Sequence, residues 1–345
     1  MKIGSFDFIK ENKVFIIAEL SANHNGSFQI ALETIRAAKR AGANCIKLQT
    51  YTADTLTIDS AKDDFIIKDT IWNGHNLYKL YDKAYTPWDW HQKLFQVAKE
   101  EGLICFSSPF DKTSVDFLES LNTPAYKIAS FEITDIPLIE YVASKQKPVI
   151  ISTGIAKKED IELAIKACHK YNNKDIALLK CTSSYPAPLE EANLIMIKDL
   201  ARKYSVITGL SDHTMGNTAP VVATALGAKI IEKHFILNHS IGGPDASFSM
   251  DEKEFTSMVN QVRECEKSIG TISYSLTEKQ IKGRQFSRSL YIVKNVKKGD
   301  LVTEKNVRSI RPGFGLHPKY YNEILGKKFI LDVDKGERMC KDFVK

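Results

Sequence analysis

The sequence predicts an α/β chain, a closed eight-stranded (β/α)8 TIM barrel followed by a small β-rich carboxyl-terminal domain. Three observations lead there. Eight short β-like runs recur between Val14 and His234, most of them followed by a stretch of helical periodicity. Alternation of this kind implies parallel strands joined by right-handed crossovers, and eight such units fit a barrel of about 250 residues. The chain also changes character after Ile269, and its 345 residues exceed the ~250–300 at which one core stops growing.

In order, the strand-like runs are Val14–Leu20, Cys45–Gln49, Leu103–Ser107, Ala125–Ala129, Pro148–Ser152, Ile176–Cys181, Ser205–Leu210 and Lys229–His234. Between the first two, residues 31, 32, 35, 38 and 41 form an apolar helical stripe that stops at Gly42. Thr86–Glu101, Glu159–Tyr171 and Ala219–Leu226 read the same way, and Asp251–Ile269 is a last helix. An open doubly wound sheet is the alternative. It would carry a Gly-rich first turn, whereas Leu20 is followed by Ser-Ala-Asn-His-Asn-Gly. The long interval Thr52–Tyr85 predicts an insert over the site. Ser289–Lys294, Val307–Ile310 and Ile330–Val333 predict strands of the second domain. The expected division is residues 1–269, a polar linker 270–284, and a domain 285–345.

Composition excludes several classes. Hydrophobic residues make up 43% and aromatic residues 10%, enough for a core and too apolar for a disordered chain. No apolar run reaches the ~18 residues of a membrane span, and the polar start is not that of a targeting peptide. Six scattered cysteines without a C-x-x-C pair point to a reducing, cytoplasmic setting. The net charge is +6, and residues 285–345 alone hold 14 Lys/Arg against 7 Asp/Glu. A solvated basic face and a cap over an anionic ligand both fit; no nucleic-acid motif accompanies the charge.

Barrel chemistry sits at the carboxyl ends of strands. Counting by two, Glu19 falls on the inward face with Phe15 and Ile17, and Lys47 and Gln49 with Cys45. A buried ammonium needs a carboxylate or an anionic ligand, so Lys47 is either half of a structural pair or an anion contact. The next ends carry Ser107-Ser108, Lys127 through Ser130 to Glu132, Ser152-Thr153-Gly154 and Thr182-Ser183-Ser184-Tyr185. Hydroxyls, backbone N–H groups and two lysines at one mouth suit a phosphate or carboxylate. The last two ends offer Ser211 with His213, and Glu232 with His234. Neighbouring strands could bring the two imidazoles to one Mn, Fe, Co or Zn ion, although a lone histidine is more often a satisfied core residue. Gly242-Gly243-Pro244-Asp245 is a turn, or a loop whose Asp245 accepts from ligand hydroxyls.

Taken together, Ala18-Glu19-Leu20-Ser21-Ala22-Asn23-His24, Lys47-Leu48-Gln49-Thr50, Ser107-Ser108-Pro109-Phe110, Tyr126 through Glu132, Ser152-Thr153-Gly154, Gly209 through His213 and Glu232-Lys233-His234-Phe235 resemble the sialic acid synthase family over nearly the whole chain. Arg311-Pro312-Gly313 resembles that family's antifreeze-like (SAF-type) domain. The resemblance is closest to the branch whose acceptor is a 2,4-diacetamido-2,4,6-trideoxyhexose; synthases of N-acetylneuraminate or legionaminic acid are the alternatives within it. It implies a transferase that condenses phosphoenolpyruvate with the sugar and water to a nine-carbon acid and phosphate. His213 and His234 would hold a divalent metal ion, Mn2+ with Mg2+ or Co2+ as substitutes. Lys47, Lys127, Ser130, Ser152 and Ser211 match the phosphoenolpyruvate positions, with Ser108 where the family carries Thr. Glu19, Glu132 and Glu232 match acid/base positions, and Gln49, Tyr185 and Asp245 sugar-side positions. Arg311, with Phe286, would enter a second copy's barrel in a domain-swapped homodimer. Asn73 is the position suggested for the acetamido group. A non-catalytic sugar- or anion-binding barrel is the reading from another class.

Overall fold

The computed structural model describes residues 1–345, which divide into two compact units, Met1–Gly270 and Thr271–Lys345. Eight parallel strands close the first unit into a barrel: β1 (Phe15–Glu19), β2 (Cys45–Thr50), β3 (Ile104–Pro109), β4 (Tyr126–Ile128), β5 (Val149–Ser152), β6 (Ile176–Cys181), β7 (Ile207–Asp212) and β8 (Ile230–His234). β8 pairs with both β7 and β1, placing His234 opposite Glu19 and Glu232 opposite Ser211.

Strand alternation sorts side chains as the two-residue period requires. Ile46 and Leu48 of β2 face the helices and join the outer core, while Cys45 points into the barrel with Phe15, Ile17, Phe106, Ile150 and Leu179. Eight crossover helices pack outside: α1 (Phe28–Arg40), α3 (Trp88–Glu100), α4 (Lys112–Ser120), α5 (Ile136–Ser144), α6 (Lys158–Lys170), α7 (Met196–Tyr204), α8 (Thr218–Ala225) and α9 (Glu252–Ile269), with α2 (Leu77–Ala84) inside the insert. Their starts are marked by acceptors for orphan N–H groups. Asp111 accepts from Thr113 and Ser114, Asp135 from Leu138, and Asp251 from Glu254.

An amino-terminal ribbon, Lys2–Ile3 against Phe6–Asp7, plugs the bottom of the barrel. Phe6 sits 4.8 Å from Phe15 by ring centroids, and Phe8 5.7 Å. Strands of two residues carry no periodicity, so the sequence did not announce them. β7 begins two residues later than expected and carries its pairing through Asp212.

The second unit has one antiparallel pair, β9 (Ser289–Ile292) with β10 (Val307–Ile310), around a core that includes Leu290, Ile292, Val296, Val307, Phe329 and Val333. Residues 330–333, expected as a strand, hold a single isolated bridge, Val333 with Val296. Within residues 270–284, Glu278–Gly283 is a short helix capped by Thr277, and Ile272 and Tyr274 are 98% and 99% exposed.

Candidate active site

The carboxyl end of the barrel holds a network of four buried charges. Glu19 and Lys47, opposite one another on β1 and β2, form an ion pair. Lys127 Nζ on β4 donates to Glu232 Oε1 on β8 at 2.8 Å, and Lys47 Nζ lies 3.8 Å from Glu232 Oε2. All four are at most 5% exposed. Equal numbers of opposite charges lower the large cost of burial, and hydroxyl and amide donors complete the set. Lys47 Nζ donates to Ser108 Oγ (3.3 Å), Ser211 Oγ to Glu232 Oε1 (2.9 Å), and Gln49 Nε2 to Glu19 Oε1 (3.2 Å).

Burial pushes the Glu19 carboxyl up, and Lys47 only partly opposes it. Burial acts the same way on Glu232, but Lys127 and Lys47 hold it low, so it is a carboxylate. Burial lowers Lys127 despite its bond to Glu232. Lys47 is buried as deeply, yet Glu19 and Glu232 raise its pKa above the usual lysine value.

Beside this network lies a ring of hydroxyls. Ser130 Oγ accepts from the Ile155 amide (3.1 Å) and from Ser183 Oγ (2.8 Å). Gly154 lies against them: a Cβ there would stand 2.1 Å from Ser183 Oγ and 2.6 Å from Ser130 Oγ, so only glycine leaves the cradle open. Ser152 Oγ is buried without a partner, as are Glu132 Oε2 and His234 Nδ1. Orphaned buried polar atoms are rare and mark places where a ligand completes the bonding.

His213 and His234 lie with ring centroids 5.4 Å apart. His213 Nδ1 faces the Thr182 carbonyl at 2.9 Å, which makes that nitrogen the donor and leaves Nε2 as the one a metal could take; burial lowers the ring's pKa, but Cys181 and the Thr182 carbonyl raise it overall. Asp245 Oδ2 stands 3.6 Å from His234 Nδ1. Burial, reinforced by His213, Lys47 and Lys127, holds His234 well below the ordinary histidine value, so it is a neutral imidazole with a lone pair to give. Two imidazoles and a carboxylate fit a divalent ion. Donor atoms of His239, Asp251 and Glu254 also converge, within 4.8 Å. His239 and Glu254 are exposed, Asp251 is half-buried, and all three are already engaged: Asp251 and Glu254 cap α9 reciprocally, and His239 Nε2 meets Glu254 Oε2 at 3.0 Å.

Gln49, Ser130, Glu132, Tyr185, His234 and Asp245 line one cavity of about 360 Å³ together with side chains of the insert. Tyr185 packs on His213 (4.4 Å) and Phe248 (5.1 Å). Burial of Glu132 pushes its carboxyl up to about 7. Thus Glu19, Lys47, Gln49, Ser108, Lys127, Ser130, Glu132, Ser152, Tyr185, Ser211, His213, Glu232, His234 and Asp245 all gather at the carboxyl end of the barrel.

Asn73 is not among them. It is exposed and sits in a turn of the insert, where its side chain accepts from the Asp69 amide. Phe286 and Arg311 belong to the second unit. Phe286 is 62% exposed, and Arg311 lines an open cavity with Arg288, Arg308 and Tyr321. Sequence reasoning missed Ser183, Trp72 and Phe248. Ser183 could have been picked from the strand-end hydroxyls by counting two from Cys181; Trp72 and Phe248 come from loops with no periodic signal.

The chain matches the model of the NeuB family over residues 34–274 and that of the SAF domain over residues 287–337. It is 50% identical over 339 residues to a pseudaminic acid synthase of Campylobacter jejuni subsp. jejuni serotype O:23/36, covering 98% of each chain. It is 49% identical to a pseudaminic acid synthase of Helicobacter pylori, covering 91% of this chain and 92% of that one. A crystal structure of N-acetylneuraminic acid synthetase from Leptospira borgpetersenii, in complex with citrate, superposes with a TM-score of 0.70 at 31% identity, over 79% of this chain and 90% of the other. The chain belongs to the NeuB family and carries its barrel with a carboxyl-terminal SAF domain.

Proposed function

We propose that this chain is a transferase that condenses phosphoenolpyruvate with 2,4-diacetamido-2,4,6-trideoxy-L-altrose and water, giving pseudaminic acid and phosphate. The observation that carries it is the convergence of Lys47 and Lys127 on Glu232 beside the unpartnered Ser152 hydroxyl. Two buried ammonium groups whose partners are only carboxylates and hydroxyls can turn to a phosphate and a carboxylate entering from the mouth. Near-full-length similarity to pseudaminic acid synthases supports the choice of sugar.

In this reading Lys47, Lys127, Ser108, Ser130, Ser152 and Ser211 hold phosphoenolpyruvate, with Ser183 and the Gly154 backbone completing the phosphate cradle. Gln49, Tyr185 and Asp245 orient the open-chain sugar so that its aldehyde carbon meets the methylene carbon of phosphoenolpyruvate. His213 and His234, with Asp245, would hold a divalent ion, for which Mn2+ is the first choice; when bound, it polarises the aldehyde. Glu132, whose carboxyl is raised to about 7, holds a proton below that pH and can give it to the aldehyde oxygen as that becomes a hydroxyl. Carbon–carbon bond formation leaves positive charge at C2, which the Glu232 carboxylate stabilises. Water adds at C2, and Glu19 takes the proton it loses. The resulting tetrahedral carbon then expels phosphate by C–O cleavage as its hydroxyl becomes the C2 ketone, the hydroxyl proton leaving with the phosphate.

Arg311 and Phe286 act in a second copy's barrel in a domain-swapped homodimer. The excess of basic residues in 285–345 suits a module that covers an anionic site. A cytoplasmic setting goes with this reading. All six cysteines are free, and no helix is long and apolar enough to cross a membrane.

The test is phosphate release from phosphoenolpyruvate with Mn2+, using the trideoxy sugar, N-acetylmannosamine and the legionaminic acid precursor, each with an EDTA control. Release with the first sugar alone, abolished by EDTA, is expected. Release with another sugar in its place overturns the choice of acceptor, and silence with all three overturns the reaction. Light scattering must also give a dimer; a monomer overturns the role of Arg311.

A further inference from the structure

The insert between β2 and α3 contributes an apolar wall that the reaction chemistry does not use. In α2, Leu77, Leu80, Tyr81 and Ala84 recur at i, i+3, i+4 and i+7, so they share one face, and all four line the 360 Å³ cavity. The opposite face carries Lys79, Asp82 and Lys83 in solvent. An apolar helical stripe ordinarily packs on the domain core. This one does not: Leu77, Leu80 and Tyr81 belong to none of the barrel's core clusters.

The wall is held in place. The Trp72 indole N–H donates to the Pro244 carbonyl at 3.2 Å across the mouth, and its ring lies 5.6 Å from Tyr185. Asn76 caps α2 and also donates to the Ser60 carbonyl at 2.7 Å. The cavity is therefore two-sided. Its floor is Gln49, Glu132, His234 and Asp245, where an aldehyde and hydroxyls find partners; the insert side is mostly leucine, alanine and aromatic carbon, with the Thr70 and Tyr81 hydroxyls beside it.

We infer that the Leu77–Leu80 face of the insert is the specificity element that selects a 6-deoxy acceptor, seating the sugar's methyl-bearing end against α2 while the polar floor holds its reacting end. This rests on the sugar-condensing reading above. A 6-hydroxy analogue would press a hydroxyl against leucine side chains that offer it no partner. A pocket of that kind discriminates by up to about 100-fold and no more, because the added group is small.

The experiment compares kcat/KM for 2,4-diacetamido-2,4,6-trideoxyaltrose and for its 6-hydroxy counterpart, in the Mn2+-loaded full-length protein. The unaltered enzyme is expected to prefer the first by about 10- to 100-fold. Leu80→Asn and Leu77→Asn should each cut that preference at least fivefold, through the KM for the sugar and not the KM for phosphoenolpyruvate. Leu80→Met should keep the preference. If both asparagine variants melt as the parent does and keep its preference, or lose activity equally on both sugars, the assignment is overturned. Should Leu80→Asn fail to fold, Leu77→Asn decides alone. If the unaltered enzyme turns over neither sugar, the sugar-condensing reading itself has failed, a result distinct from a retained preference.

Discussion

The two ends of the barrel interior are built from the same eight strands and do opposite work. At the amino-terminal end, Phe15, Ile17, Cys45, Phe106, Ile150, Ala177, Leu179 and Ile230 pack against Ile3 and Phe6 of the plug. Two to four residues further along the same strands, the inward positions are Glu19, Lys47, Lys127, Ser211 and Glu232. The lower half gains from apolar burial. The upper half bears the desolvation of four charges and of orphaned polar atoms that include Ser152 Oγ, Glu132 Oε2 and His234 Nδ1. Stability and chemistry are thus separated along the strand axis, and the contrast can be broken from either side.

The largest effect is expected at the upper end. On the proposed reading Lys127→Met removes a phosphoenolpyruvate contact, and it leaves Glu232 without its closest cation. Loss of a preorganised charged donor should lower kcat/KM by about 1,000-fold, and the uncompensated carboxylate should cost about 3–5 kcal/mol. Adding Glu232→Leu removes the stranded charge, so the double variant should recover most of the melting temperature and none of the activity. Calorimetry with phosphate-release kinetics checks both. Recovered activity would place the reaction elsewhere.

Phe15→Ala is the converse change. Phe15 is fully buried between the plug and the barrel interior, and deleting a buried phenyl ring costs about 3–5 kcal/mol. Turnover per folded molecule should hold within about twofold, a change of only ~0.4 kcal/mol in the barrier. A large fall in kcat with the fold intact would show that the two ends are coupled.

The contrast was largely legible in the sequence, because a period of two decides which face a strand residue takes. Counting from Phe15 put Glu19 inside, and counting from Cys45 put Lys47 and Gln49 inside. Ser108 and not Ser107 meets Lys47 for the same reason; Ser107 turns outward to the Thr50 hydroxyl. What could not be read has equally physical causes. The plug uses two-residue strands, too short for any pattern. The insert takes its shape from side-chain to backbone bonds, as when Asn73 and Asn76 bind a turn and a helix start, and Asn73 does not line the cavity. Ser183, unlike its neighbour Ser184, does follow the two-residue count from Cys181, and it is the one that meets Ser130 and Gly154.

A smaller effect sharpens the comparison through pH. Burial raises Glu132 from the ordinary carboxylate range to about 7. As a proton donor it should be competent below that value, so kcat should fall as pH rises through about 7, and Glu132→Gln should remove this limb with a loss of about 100-fold. The stability sign follows from linkage. The folded state binds this proton more tightly than the unfolded chain, so the contribution is fullest below about 4.5 and is lost as pH rises toward 7. Glu132→Gln should lessen the fall in melting temperature between those limits, the raised Glu19 carboxyl supplying the remainder. A pH limb that survives in the variant assigns the ionisation to another group.

The smallest change tests whether an orphaned atom belongs to a ligand or is simply tolerated. Ser152 Oγ is buried and has no partner, so the free enzyme already bears its desolvation. Ser152→Ala removes that burden, and the protein should be as stable as the parent or slightly more so. If the hydroxyl bonds phosphoenolpyruvate, its loss should raise the KM for phosphoenolpyruvate about tenfold, the equivalent of ~1.4 kcal/mol, with the KM for the sugar unchanged. A core serine with merely imperfect packing would give the stability gain without the kinetic loss. The separation of the two KM values therefore tells whether the polar upper half is organised around phosphoenolpyruvate down to its least connected hydroxyl.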